Sequence, residues 1–144
     1  MKKKIGLLFP AFGMAYKGFS PKDLPDYQKI LENHLSLASK VVNIDRNLVE
    51  KPVKETLEDD LQAHYICYIN SCVISDIIKK QNIQVEYVAP YSMGLFPSLY
   101  YTSVLTFEEG LLLTHHACTS ATAAVDGNKY AMGVIIGFPY EQID

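Results

Sequence analysis

The chain has 144 residues, of which 49% are hydrophobic and 20% are charged. These are the proportions of a globular domain, and they argue against a disordered chain or a coiled coil. The formal net charge is −3, so no basic excess is present to neutralise a phosphate backbone, and nucleic acid is not expected as a main partner. Three cysteines without metal-ligand spacing are typical of a reducing, cytoplasmic compartment, and no apolar run reaches the ~20 residues of a membrane span.

The first half of the chain is predicted to hold one strand and two helices. Residues 5–9 form a short apolar strand, and glycines between positions 10 and 20 indicate a loop. Three lysines before the strand resemble the start of a signal peptide, but the apolar run is short and ends at Pro10, which favours the strand. Apolar residues at three- and four-residue spacing predict a helix after Pro25. Residues 62–80 predict a second helix, which is apolar on most faces and therefore buried.

The second half of the chain repeats the alternation of strand and helix. Residues 85–88 are rich in β-formers and predict a strand. Thr106 and Glu109 form a capping box that begins a helix running to about Ala124. Residues 130–138 predict a final strand, expected to pair with another chain or to pack back on the main body, because a lone apolar strand would expose unpaired backbone groups. This order favours an α/β fold with a largely parallel sheet.

The most informative segment surrounds Ser92, between a predicted strand and a predicted helix. Its pattern resembles the G-x-S-x-G nucleophile elbow, a sharp turn in which the residues two before and two after the serine must be small. Gly94 meets this requirement, and Pro90 meets it less well. In such a turn the serine hydroxyl projects above the strand ends, where the backbone N–H of Met93 can stabilise an oxyanion. The alternative is that Ser92 is a helix N-cap.

Three segments together suggest a family. They are Leu8–Gly13, Tyr91–Gly94 together with Ser98–Gly110, and Tyr130–Gly137; Thr56, Leu57 and the helix after Gln62 continue the resemblance between the first two. They are similar, in order and spacing, to the F-P-G-Q-G-S-Q, G-H-S-L-G-E and G-A-M-A-A-I-I-G motifs of the malonyl-CoA:acyl carrier protein transacylase family, whose members act in fatty acid and polyketide synthesis. The chain resembles the N-terminal half of these acyltransferases.

The resemblance implies an α/β-hydrolase-like acyltransferase core with a parallel sheet and a nucleophile elbow. Residues 1–128 would form part of the large subdomain, and residues 129–144 would begin a truncated, ferredoxin-like small subdomain. Ser92 would attack an acyl-CoA thioester and pass the acyl group to the phosphopantetheine thiol of an acyl carrier protein. The backbone N–H groups of Met93 and Phe12 would hold the oxyanion. Acyl-CoA and the carrier protein are then the partners, with no bound cofactor, metal, membrane or nucleic acid.

Several positions depart from the family pattern. Tyr91 stands where the family has a histidine, and Leu95 stands where it has a glutamate. The arginine that clamps the malonyl carboxylate falls at Ala117, and the single arginine, Arg46, lies too far away in sequence to replace it. A malonyl carboxylate would lose a charge-assisted pair, so a neutral acyl group fits better. Pro97 lies early in the helix after Ser92 and is a candidate for a kink.

Family members are longer, and their catalytic histidine lies far beyond the nucleophile. A serine without a base is a weak nucleophile. Three explanations stay open: a fragment of a longer enzyme, a subunit in a homo-oligomer or with a second subunit that supplies the histidine, and a non-catalytic scaffold or docking relative. A serine thioesterase or hydrolase that releases acyl groups to water is a further alternative.

The histidines of this chain are possible substitutes for the missing base. His64 aligns with a family glutamine near the active site and would approach Ser92, although a helix-lining histidine with a satisfied hydrogen bond is the favoured interpretation. His115 and His116 point ~100° apart on a helix, so at most one can face a site. They lack the i, i+4 spacing of a helical metal pair, and no metal is expected.

Overall fold

The computed structural model describes residues 4–11, 21–49, 60–125 and 137. The regular elements are, in chain order, strand β1 (Gly6–Phe9), helices α1 (Tyr27–Val41) and α2 (Asp60–Lys80), strand β2 (Tyr87–Pro90), and helices α3 (Leu95–Tyr101) and α4 (Phe107–Val125). Single 3₁₀ turns lie at Pro21–Asp23, Arg46–Leu48 and Ser92–Gly94. The described chain is therefore a mixed α/β protein that is mostly helical.

The two strands form a small parallel sheet. Their register pairs Gly6 with Tyr87 and Phe9 with Pro90. Parallel neighbours need a crossover connection, and α1 and α2 both lie in the chain between them. The predicted α/β class with a parallel sheet is confirmed at this coarse level. The described residues form a two-stranded sheet, so a wider hydrolase-type core stays a prediction.

The second strand lies two residues later than the sequence predicts. Residues 85–88 were the expected range, whereas β2 spans Tyr87–Pro90. Its position follows from its partner: the Glu86 N–H donates to the Ile5 carbonyl at 2.9 Å, and the Tyr91 N–H donates to the Phe9 carbonyl at the same distance. Because β1 supplies the acceptors, its register, and not the local β-propensity, determines where β2 ends.

Helix α2 is the centre of the hydrophobic core, as its nearly continuous apolar surface predicts. It packs against α1, α3 and α4. Its most deeply buried side chains are Tyr65, Ile69, Cys72, Val73 and Ser75. Tyr68 of this helix is also buried. The other three helices are thereby held in place relative to α2.

Helix α4 begins with the predicted capping box. The Thr106 N–H donates to the Glu109 carboxylate at 2.8 Å, and the Glu109 N–H donates to Thr106 Oγ1 at 3.2 Å. The bond from the Thr106 backbone, and then one that the Thr106 hydroxyl donates to the same carboxylate at 2.9 Å, lower the pKa of the Glu109 carboxyl. The helix ends at Val125, one residue beyond the predicted end.

Tyr68 and Gly110 bring α2 and α4 into close contact. The Tyr68 hydroxyl donates to the Phe107 carbonyl at 2.9 Å. A Cβ atom built on Gly110 would lie 2.2 Å from that hydroxyl oxygen. The absent side chain of Gly110 therefore leaves the space that the tyrosine ring occupies.

The sheet is covered unevenly on its two faces. Phe9 is buried, whereas Leu8 and Tyr87, which point to the opposite face, are 75% and 58% exposed. Along the β1 side, a cavity of about 120 Å³ is lined by Leu7–Pro10 and by Ile74 and Ile78 of α2. One face of the sheet thus packs on the helices, and the other is open.

Some predictions fall outside the described residues. They are the loop at 12–20, the strand at 130–138, of which the structure describes residue 137 alone, and the division between subdomains at residue 128. Among the helices of the described ranges, none combines the length and the apolar character needed to cross a membrane.

Candidate active site

Ser92 lies in a sharp turn between β2 and α3. The chain leaves β2 at Pro90, passes through Tyr91 and enters the 3₁₀ turn Ser92–Gly94, which runs directly into α3. Ser92 has a φ of 52°, in the left-handed region. Such a conformation costs on the order of 1–3 kcal/mol for a non-glycine residue and is found preferentially at functional sites. The side chain of Ser92 is exposed, so its hydroxyl is accessible from solvent.

The ordinary alternative, a serine that caps a helix, does not describe Ser92. Tyr91 occupies the cap position of the 3₁₀ turn, and Gly94 occupies that of α3. No side-chain hydrogen bond caps either element. The strained backbone of Ser92 therefore has no explanation in helix capping.

Gly94 is required by a close approach of two backbone segments. A Cβ atom at this position would lie 2.5 Å from the Phe9 carbonyl oxygen and 2.7 Å from that of Pro10. Both are backbone atoms at the end of β1, which cannot rotate aside as a flexible side chain would. The need for a small residue two positions after the serine, predicted from elbow geometry, thus has a specific cause in the neighbouring strand.

The two prolines of this region are accommodated without disrupting it. Pro90 ends β2, and the Tyr91 N–H after it donates to the Phe9 carbonyl. Pro97 is the third residue of α3 and is buried. Because the first N–H groups of a helix have no intrahelical acceptor, its missing donor costs no helical bond, and the position is not a helix interior where proline kinks.

One predicted oxyanion donor lies in the turn. Met93 belongs to the 3₁₀ turn directly after Ser92 and is half-buried. The N–H groups of a first helical turn point away from the helix body and are available to an anion. Phe12, the second predicted donor, lies outside the described residues.

A small cavity lies directly behind the turn. Its volume is about 10 Å³, roughly the space of one water molecule. One side is a stripe of α2 at helical spacing, and the other sides come from the end of β1, the turn, α3 and α4. The lining residues are His64, Cys67, Tyr68 and Ser71 of α2, together with Pro10, Met93, Gly94, Pro97 and Thr114.

Three positions that depart from the family pattern lie within the described residues, namely Tyr91, Leu95 and Ala117. Tyr91 is 73% exposed, and Leu95, on the first turn of α3, is also exposed. Ala117 is half-buried on α4, one turn after Thr114, which lines the cavity. Close to Ser92 in the sequence, the exposed side chains at positions 91 and 95 are thus an aromatic and an aliphatic group.

The two histidines of α4, His115 and His116, do not line this cavity. Nδ1 of His115 lies 2.5 Å from the Tyr65 hydroxyl, and the two rings stack at 6.1 Å. His116 is exposed, and its ring meets that of His115 edge-on at 5.4 Å. Within the described ranges, no group of three potential metal ligands is found.

A polar cluster that sequence reasoning missed joins α1, α2 and α3 away from the turn. His34 Nδ1 donates to the Ile30 carbonyl at 2.9 Å, and its Nε2 lies 3.3 Å from Asp76 Oδ2. The Tyr100 hydroxyl donates to both Asp76 oxygens at 2.8 and 2.9 Å. Burial, and then this carboxylate, raise the pKa of the Tyr100 phenol. The feature of the sequence that could have indicated this cluster is the presence of His34 and Asp76 on otherwise apolar surfaces of α1 and α2.

No family model matches the chain, and no curated protein and no solved structure was found to match it. The likeness to the acyltransferase family therefore rests on the residues themselves.

Proposed function

We propose that this protein is an acyltransferase-type domain that moves an acyl group from acyl-CoA to an acyl carrier protein through an ester on Ser92. The observation that carries the proposal is the left-handed backbone of Ser92 in a strand–turn–helix, with Gly94 pressed against the end of β1. A strained turn that exposes a hydroxyl at the carboxyl end of a parallel strand is the geometry of a nucleophile elbow.

The chemistry divides one acyl transfer into two steps. Ser92 Oγ forms a bond to the thioester carbonyl carbon, and the C–S bond to CoA then breaks, releasing the thiol. The carrier's phosphopantetheine thiol attacks the ester in turn and regenerates the serine. In both steps negative charge develops on the carbonyl oxygen, where the Met93 N–H, with the N–H of Phe12 as the second donor, stabilises it.

The acyl group is proposed to be neutral, and not malonyl. Ala117 offers no charge to a carboxylate, and neither do the exposed side chains of Tyr91, directly before Ser92, and Leu95, three residues after it. A carboxylate desolvated without a partner is costly. We therefore expect acetyl- and longer neutral acyl-CoAs to acylate the protein faster than malonyl-CoA.

Intact-mass measurement after incubation with a panel of acyl-CoAs tests the proposal. A mass increase equal to the acyl group is expected in the wild type and is expected to be absent in Ser92→Ala. Addition of a phosphopantetheinylated acyl carrier protein should remove the mass from the domain and transfer it to the carrier. The absence of any adduct would overturn the acyl-enzyme and favour a non-catalytic relative.

Hydrolysis is a second candidate because Ser92 is exposed and water can reach an ester there. An adduct that forms and then disappears with the release of free acid, at a rate unaffected by carrier protein, would favour a thioesterase. An adduct that is stable until the carrier is added would favour transfer. Adduct formation only when a second protein is present would indicate a subunit that supplies the histidine.

A further inference from the structure

The direction of α2 brings its first turns to the same end of the sheet as Ser92. Ile78, near the end of this helix, lines a cavity with Leu7 at the start of β1. His64, near its beginning, lines the small cavity with Met93 and Gly94, at the carboxyl end of the strands. The helix therefore runs antiparallel to the sheet, and its first turns lie beside the turn that holds the candidate nucleophile.

His64 differs from the other three histidines in this placement. His34 lies in the core against Ile30 and Asp76, and His115 lies against Tyr65, so neither residue lines the cavity. His116 is exposed on α4 and does not line the cavity. Of the four imidazoles in the chain, that of His64 shares a cavity with the residues directly following Ser92.

Most of the other groups lining this cavity are poorly suited to accept a proton from a serine. Cys67 and Tyr68 are its other titratable lining residues, and burial raises the pKa of the Tyr68 phenol. Ser71 and Thr114 are hydroxyl groups without useful basicity. Among the lining residues there is no carboxylate and no ammonium group. An imidazole is the side chain that ordinarily gains and loses a proton in this range.

We propose that His64 is the general base that accepts the proton of Ser92, directly or through one bridging water molecule. The proposal rests on the function proposed for Ser92. As the Oγ–C bond forms, the Oγ–H bond breaks and the proton moves to an imidazole nitrogen of His64. As the C–S bond breaks, the same proton passes to the departing thiolate. Proton transfer through one water is within the range of general base catalysis. The chain would thus carry its own base.

The test follows the rate at which a fluorophosphonate probe labels Ser92, measured by intact mass between about pH 5 and pH 8. In this reaction Oγ bonds to phosphorus, fluoride leaves, and the proton of Ser92 must be accepted as in acylation. Wild type is compared with Ser92→Ala, His64→Gln, and the matched control His116→Gln. We expect the wild-type rate to rise with pH across this range, because a protonated base cannot accept the proton of Ser92.

For His64→Gln we expect a rate lower by on the order of 10²-fold and without that rise, whereas His116→Gln should follow wild type. Equal rates and pH profiles in wild type and His64→Gln would overturn the role of His64 while leaving Ser92 as nucleophile. If the variant does not fold, a wild-type rate that is flat across this pH range overturns the role equally. Absence of labelling in wild type would refute the function proposed for Ser92 itself.

Discussion

Gly94 lies where the turn after Ser92 meets the end of β1, and its replacement by alanine tests this geometry. The added Cβ would lie 2.5 Å from the Phe9 carbonyl oxygen and 2.7 Å from that of Pro10, whereas ordinary contact begins at 3.4 Å. The turn and the strand would have to separate by nearly 1 Å, and neither contact atom belongs to a flexible side chain. Overpacking of this kind costs about 1–3 kcal/mol.

Gly94 occupies the cap position of α3, where alanine has no propensity advantage over glycine to offset this cost, so Gly94→Ala should be destabilised. Urea unfolding should show a lower midpoint with an unchanged m value. Gly6→Ala is the matched control, because its nearest contact would be an ordinary 3.9 Å to Tyr87. Probe labelling of Ser92 should fall in Gly94→Ala and not in Gly6→Ala. A Gly94→Ala protein with the wild-type midpoint and wild-type labelling would refute the close approach.

Three further predictions concern the helices. Gly110→Ala should lower the urea midpoint by the equivalent of about 1–3 kcal/mol despite the better helix propensity, because its Cβ would displace the Tyr68 hydroxyl; a midpoint at or above wild type would contradict that contact. Glu109→Gln should be less stable than wild type above the ordinary carboxyl pKa of about 4.3, and this difference should disappear as the pH falls through the lowered pKa of Glu109. A stability difference that stays constant between about pH 2 and pH 7, the range in which carboxyl groups titrate, would exclude a charged capping box with Thr106. Asp76→Asn should cost about 1–3 kcal/mol in urea unfolding, because the buried histidine and the tyrosine that it binds lose a charged acceptor; an unchanged midpoint would show that the cluster does not stabilise the fold.

The elements that could be predicted are those that depend on residues close together in the chain. The capping box needs only Thr106 and Glu109, three positions apart, and both of its bonds are present. The burial of α2 follows from an apolar surface on most of its circumference. The small residue at position 94 was also expected, because an elbow is a local turn.

Other features were decided by partners far away in the sequence. The bounds of β2 are set by the backbone carbonyls of β1, which lie about eighty residues earlier in the chain. The register pairs Gly6 with Tyr87. The cluster of His34, Asp76 and Tyr100 joins three helices, and no spacing along the chain reveals it. The sequence allowed two interpretations of His64, an ordinary helix residue or a neighbour of Ser92. Only the packing of α2 against the turn shows that His64 lines the cavity.

By itself, then, the amino-acid order determined the helices, the cap of α4 and the position of a serine turn. The tertiary structure decided the left-handed backbone of Ser92, the contact of Gly94 with β1 and the group that faces the turn from α2. The physical reason is that local patterns depend on hydrogen bonds and periodicity within a few residues, whereas a site forms from surfaces that meet only when the chain has packed.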